Sequence, residues 1–486
     1  MNDNMKKILI LFIIPLSIFA QTFESNLPIV KINTGNNEIV DDPRIIADMG
    51  IINNINGLNK LSDQHNEYNG KISIELRGSS SQDIFPKKSY SIETQTFDGK
   101  NNNVSLLSLP EENDWVLYGP YSDKTLLRNS LTYELSRQMG HYSPRTEYFE
   151  LFINDEYMGV YVLTEKIKRD KNRVNIKKSQ EDDVSGGYII KIDKLTDAPI
   201  NSSWCSNFMT FNNDFVCFQY HYPKADEITI DQKDYIESFI NNIYYSIKEL
   251  ADNQLNINTI ENINFNSFVD YLIISELSKN VDAYRISTFL YKDSDEENGD
   301  LYMGPVWDYN LSFGNVDFCQ SSEISGWVLN AETPCQKSIP RYWHDLIQND
   351  SFRNLFINRW FELRNTILSI ENIFNHIDST SQYIFDAQKR NFEAWDALNE
   401  YVWPNYQLGE SFQDEIGFLK YWIYYRIIWI DNNMQNLRML FPDCSSLEKN
   451  LIKIVDHLGR ENQHIQNKIT FHIYDNGCVE KNFITY

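Results

Sequence analysis

The chain has 486 residues, too many for one small core, and 42% hydrophobic with 14% aromatic content is enough to bury a large one. That composition excludes global disorder. With 44 Lys and Arg against 68 Asp and Glu the formal charge is −24, so a phosphate backbone would be repelled and nucleic acid is not an expected partner.

In chain order, Lys6 and Lys7 precede an apolar run from Ile8 to Ala20. This is the pattern of a secretory signal peptide over residues 1–20, and the run is short for a transmembrane span. Export permits disulfides among the six cysteines. Cys205 with Cys217 and Cys319 with Cys335 are the sequence-local pairings favoured, although six cysteines leave the connectivity open. No cysteine or histidine spacing matches a zinc site.

Residues 27–70 are turn-rich. From Lys71 to Arg77, Ile72, Ile74 and Leu76 alternate with Ser73, Glu75 and Arg77, which predicts a half-buried strand. The turn Gly78-Ser79-Ser80-Ser81 breaks it. A second strand is expected from Lys88 to Glu93, where a period of two places Lys88 on the face of Tyr90 and Ile92 and turns Lys87 away. Leu127, Leu131, Leu135 and Met139 mark a helical stripe, with Glu134 and Arg128 on its inward side, and Gly140 ends the helix. Tyr148–Ile153 and Met158–Thr164 read as a hairpin, and Tyr188–Ile192 as another strand. Residues 232–250 and 265–278 read as helices. A hairpin follows, with strands 287–291 and 301–306, and residues 340 to about 440 read as long amphipathic helices rich in aromatics.

That last hairpin brings the residues flanking it to one open end, so Asp282 and Asp308 approach each other. Two such acids suit a divalent cation held against a phosphate, or a division of labour between base and metal ligand. They equally suit a pair of capping aspartates in a solvated loop.

Six collinear segments resemble the CotH family, the spore-coat protein H-type atypical kinases. They are "ELRGSSSQDIFPKKSYSIET", "DWVLYGPYSDKTLLRNSLTYELSRQMG", "LFINDEYMGVYVLTEKIKRDKNRV", "SGGYIIKIDK", "ISELSKNVDAYRISTFLYKD" and "GPVWDYNLSFGN". The resemblance implies an α+β, protein-kinase-like fold of two lobes over residues 27–440. The β-rich N-lobe would span about 27–195 and the helical C-lobe about 230–440. It also implies binding of ATP with Mg2+ or Mn2+, and phosphoryl transfer to a protein acceptor. On the kinase template, Arg77, Gly78, Ser79 and Ser80 stand where a phosphate loop would be. Lys88 would neutralise phosphate charge, Glu134 would position Lys88, and Glu165, in Thr164-Glu165-Lys166-Ile167, would lie near the adenine. Asp282 matches the catalytic aspartate and Asp308 the metal-binding one. Ser287 stands where a metal-binding asparagine is expected, and Asn310 where the family often has a second aspartate.

The tail, residues 447–486, forms a small β unit of a different kind. Its segment "LIKIVDHLGRENQ…KITFHIYDNGCVEKNFITY", Leu451–Tyr486, resembles a C-terminal sorting domain of type IX secretion. With the signal peptide, that implies a secreted or cell-surface protein handled by the type IX machinery and carrying no transmembrane span. Two further function classes remain beside the exported kinase. One is a non-catalytic surface scaffold that kept the fold. The other is carbohydrate binding through Trp and Tyr of the C-terminal helices, although those aromatics recur at the spacing of core residues.

Overall fold

The computed structural model describes residues 23–437 except 56 and 197, and then residues 450–455, 469–474 and 479–483. The signal-peptide segment, Cys444, Cys478 and the LGRE and DNG turns of the tail lie outside the described residues.

Seven strands close into a barrel: β1 (Ile29–Asn33), β2 (Ile45–Ile52), β3 (Tyr68–Arg77), β4 (Ser89–Gln95), β5 (Asp114–Tyr118), β6 (Thr146–Ile153) and β7 (Glu156–Glu165), in the order β1-β2-β3-β4-β5-β7-β6. The closing contact is a parallel pairing of β1 with β6, Ile29 opposite Glu150 and Ile32 opposite Ile153. The alternation expected in β3 is present. Ile72 and Ile74 join Tyr90, Ile92, Trp115, Leu117, Phe149 and Leu163 inside the barrel, while Ser73, Glu75 and Arg77 occupy the other face. The β-rich N-terminal part expected from the sequence is present, and its sheet closes on itself, which removes the exposed edges an open sheet would carry.

A second, five-stranded antiparallel sheet holds β8 (Tyr188–Ile192), β9 (Ser203–Met209), β10 (Phe215–Tyr222), β11 (Thr288–Lys292) and β12 (Leu301–Met303), in the order β9-β10-β8-β11-β12. The β8 strand, expected to belong with the N-terminal half, pairs along its length with β11 of the later hairpin, so one sheet spans the expected lobe boundary. The β11–β12 hairpin pairs Leu290 with Met303 and is shorter than the sequence suggests. Both sequence-local disulfides are present: Cys205 and Cys217 are direct cross-strand partners, and Cys319–Cys335 closes a loop after the hairpin.

The helical part packs around one apolar core. Helix α1 (Arg128–Gln138) leans on the barrel, and α2 (Ile230–Asp252) begins with a capping box between Thr229 and Gln232. Helix α3 (Phe265–Ser278) is buried along every residue but one, which makes it the central helix. The long α4 (Phe412–Asn433) packs beside it. Arg426 of α4 and Glu276 of α3 form a fully buried pair, Nη2 to Oε2 at 3.4 Å. The same carboxylate accepts the Val328 and Leu329 amides and the Tyr284 hydroxyl. Removing one partner of such a pair costs about 3–5 kcal/mol, and the helix it pins runs straight into the Asp282 loop. The three tail strands, 451–455, 469–474 and 479–483, form a small antiparallel sheet. No helix among the described residues is long and apolar enough to cross a membrane.

Candidate active site

The two aspartates singled out by the hairpin argument are brought together, and hydrogen bonds between their loops show how. Helix α3 ends at Lys279, whose left-handed backbone (φ 47°) turns the chain sharply. The Lys279 ammonium donates to the carbonyls of Glu323 and Ser325, and burial pulls it down to about 7. From this turn the Ser278 carbonyl accepts the Phe313 amide at 2.7 Å, and the Val281 amide donates to Leu311 at 3.2 Å. The chain just after Asp308 is therefore laced to the chain just before Asp282.

Asp282 is partly buried. Its carboxylate accepts from Arg285 Nη2 at 2.6 Å, and its amide donates to Asn280 Oδ1. Burial raises its carboxyl above the ordinary aspartate value, against the pull of Arg285 and Lys194. Asp308 keeps contact with solvent but is surrounded by protein on its remaining sides. Its φ of 61° is left-handed, a conformation held because its amide donates to Tyr133 Oη at 3.1 Å and the next amide, of Tyr309, donates to Asn129 Oδ1 at 2.6 Å. Desolvation, reinforced by Asp282, pushes the Asp308 carboxyl up to about 6, with Arg77 opposing. A carboxylate in that state is short of positive charge.

The barrel supplies Arg77. Its guanidinium lies 5.5 Å from the centre of the Trp307 ring and donates to Ser91 Oγ at 3.3 Å. Burial lowers its pKa, and Asp308 is the largest opposing influence. Gly78 follows with φ 120°, a region only glycine enters freely. Gly78, Ser79 and Ser80 are exposed, and Ser80 opens a short helical turn. The turn after the first long strand thus stays open at the end of β3 that carries Arg77.

Lys88 and Glu134 are not where the sequence put them. Lys88 precedes the first paired residue of β4, so strand alternation does not govern it. Its ammonium donates to the carbonyls of Gln82 and Phe85 and ties down the loop. Lys87 is the buried lysine, 2% exposed, donating to the Val160 carbonyl at 2.6 Å and Asn391 Oδ1 at 2.7 Å. Glu134 pairs with Arg137 at 2.6 Å and accepts from Gln138, away from any barrel lysine. Helix α1 grips the site through Asn129 and Tyr133 instead. Glu165 is buried among Arg145 (3.0 Å) and Arg173 (3.1 Å) as a structural hub, while its neighbour Lys166 lies beside Asp114 and in the field of Arg77. Ser287 sits at φ 50° immediately before β11.

Two residues were missed. Ile192 is the cross-strand partner of Thr288, which sets Asp193 and Lys194 beside Ser287. Both act on Asp282 and on Asp308. Asp193 pairs with Lys191 at 2.7 Å, whereas Lys194 is exposed and its ammonium has no hydrogen bond or ion pair among the described residues. The signal was present in "SGGYIIKIDK", which ends on Asp-Lys just past a strand. No three His, Cys, Asp or Glu side chains converge as a ready-made cation site among the described residues. The donor that suits a hard divalent cation is Asp308, an oxygen ligand whose carboxylate has no ion pair among the described residues, whereas Asp282 already has Arg285.

Among solved structures the chain is similar to the Helicobacter pylori proinflammatory kinase CtkA, at 11% identity and a TM-score of 0.30, over 73% of this chain and 96% of that one. No curated protein matches. The model of the family described as CotH kinase protein matches residues 74–430, a span that contains Arg77, Asp193, Asp282 and Asp308 together, and the chain belongs to that family.

Proposed function

We propose that this chain transfers the γ-phosphoryl group of ATP to a serine or threonine hydroxyl of a surface or secreted protein. The observation that carries the reading is Asp308, pushed up to about 6 beside Asp282 and Arg77. A cluster with two acids and one guanidinium is matched by a nucleotide triphosphate and its cation together, and by neither alone. Asp308, with Ser287 beside it, would hold Mg2+ or Mn2+, which supplies charge neutralisation of the phosphates when bound. Arg77 contributes a permanent positive charge towards the phosphates, and the open turn of Gly78, Ser79 and Ser80 leaves backbone amides free to approach them. Asp282, held in one orientation by Arg285, accepts the acceptor hydroxyl proton as its oxygen bonds to the γ-phosphorus and the bond to the β-phosphate oxygen breaks, releasing ADP.

A scaffold that retains the fold without transfer is the second reading. Serine at 287, asparagine at 310 and the 2.6 Å tie between Asp282 and Arg285 favour it. Thermal unfolding with ATP, with Mg2+ or Mn2+, and with both tests the binding half. A rise in Tm that needs nucleotide and cation together, and vanishes in Asp308→Ala, supports the reading; an equal rise in that variant refutes it. Labelling of a cell-surface extract with radiolabelled ATP then separates kinase from scaffold.

Export belongs to the same proposal, on the strength of the N-terminal apolar run and the small tail sheet. Deleting residues 451–486 should leave a folded domain in the periplasm, and surface display of the truncated protein would sink the sorting role.

A further inference from the structure

Far along the chain from Asp282, helix α4 and the segment before it present aromatic side chains to solvent. Tyr421 is 61% exposed, Tyr406 56%, Trp403 41% and Tyr425 40%. Soluble chains seldom leave that much ring surface uncovered without a ligand to meet it. Two of these rings, Tyr406 and Tyr421, border a cavity of about 240 Å3 whose walls also include Phe418 and Trp422. The Trp422 ring is fixed. Its Nε1 donates to the Ser322 carbonyl at 2.7 Å, and its face packs so closely on Gly314 that an added Cβ there would lie 2.4 Å from the ring.

The lining also includes Arg128 and Glu415, 3% and 4% exposed. Arg128 spends Nε on the Ser312 carbonyl and Nη1 on Asp123, and leaves Nη2 without a hydrogen bond. Glu415 accepts the Gly409 amide on Oε1 at 2.8 Å and leaves Oε2 without one. Neither atom is sealed from solvent, so the guanidinium nitrogen and the carboxylate oxygen both remain open to a ligand in the cavity that their residues line.

We propose that this cavity binds one neutral sugar ring of a glycan. The free donor and free acceptor, opposite in charge, disfavour both anions and cations and suit adjacent hydroxyls, each of which donates and accepts. The flat aromatic walls suit the C–H faces of a pyranose. The volume is below the roughly 300–1,000 Å3 of drug-sized pockets, which limits occupancy to a single ring while the exposed tyrosines carry the neighbouring ones. A peptide or a second copy of the chain would cover the outer tyrosines, but neither has a particular use for both the guanidinium and the carboxylate that line the cavity. The inference does not rest on the proposed kinase activity, and Arg77, Asp282 and Asp308 are not among the lining residues.

The test uses the full chain against immobilised hexasaccharides of neutral β-glucan, xylan, mannan, chitin and α-glucan, followed by titration of tryptophan fluorescence with any that bind. Binding of at least one is expected. Tyr421→Ala and Glu415→Gln should each weaken it about tenfold or more, with Tyr421→Ala leaving Tm unchanged because the ring is mostly exposed. Asp308→Asn should bind the saccharide as wild type does, which separates this site from the nucleotide site. Binding to none of the hexasaccharides overturns the proposal, as does binding that Tyr421→Ala and Tyr406→Ala leave intact. A dimer seen by light scattering that Tyr421→Ala dissociates, with no saccharide bound, would reassign the surface to self-association.

Discussion

Asp308 makes cation binding steeply dependent on pH in a range where an ordinary aspartate does not. With its carboxyl raised to about 6, the ionised fraction is about 0.09 at pH 5 and about 0.9 at pH 7, and the affinity for a cation that needs the carboxylate rises about tenfold between them. An unperturbed aspartate is already more than about 90% ionised at pH 5 and would give less than about a 1.1-fold change. The sign follows from linkage. The folded-state pKa lies above the unfolded value, so the folded chain holds the extra proton between about pH 4 and 6, and this carboxyl's contribution to stability falls as pH rises through that window. A bound cation competes with the same proton and is favoured on the alkaline side. The assay is Mn2+ binding without nucleotide, followed by electron paramagnetic resonance, so that protonation of phosphates does not intrude. Asp308→Asn measured in parallel removes the background of surface carboxylates. A wild-type-minus-variant difference that is flat from pH 5 to 7 would refute the account of Asp308.

Asp282→Asn should spare cation-dependent ATP binding while lowering phosphoryl transfer by about two orders of magnitude or more, read by autophosphorylation; equal loss of binding would make Asp282 a cation anchor instead. Lys87→Met should destabilise the fold by about 1–3 kcal/mol in urea unfolding, because it strips the donor from a buried carbonyl and from Asn391. Lys88→Met should cost less, and a larger cost at Lys88 would show that the corrected positions are wrong. Lys194→Gln should leave Tm unchanged, since the ammonium has no partner, but lower kcat/KM for ATP about tenfold or more through loss of one positive charge near both aspartates; unchanged kinetics would remove it from the site.

What was legible in the sequence was whatever depended on neighbours in the chain. The pairing of Asp282 with Asp308 followed from one hairpin, and the local disulfides and the central helix from short-range pattern. What escaped depended on distant pairing or on the first residue of an element. Barrel closure rests on β1 meeting β6, more than a hundred residues away, and a strand's alternation carries no mark of which strand it joins. Asp193 and Lys194 reach the site only through the register of β8 with β11. Lys88 failed because alternation was extended one residue beyond the ladder. Glu134 failed because α1 is buried on nearly all sides, so inward-facing position did not select a partner. The aromatics of the last helices were read as core from their spacing. Trp422 is core, but Tyr421 and Tyr425, about 100° and 60° from it around the same helix, are exposed.

The choice of cation beside Asp308 has a physical reason and a test. Arg77 is desolvated, and burial lowers its pKa, yet a guanidinium starts so high that it stays charged. A lysine ammonium in equal surroundings would lose its proton far more readily, as burial already lowers Lys166 nearby. Only the planar guanidinium can also stack on Trp307 while donating to Ser91. Arg77→Lys is therefore not conservative here. It should weaken cation-dependent ATP binding at pH 7 by about tenfold and make the loss deepen between pH 7 and 9, whereas wild-type binding stays level over that range. Circular dichroism at each pH separates this from unfolding. If Arg77→Lys binds ATP as tightly as wild type at pH 9, the site needs only a positive charge that any side chain can supply, and the case for Arg77 as its permanent counter-charge fails.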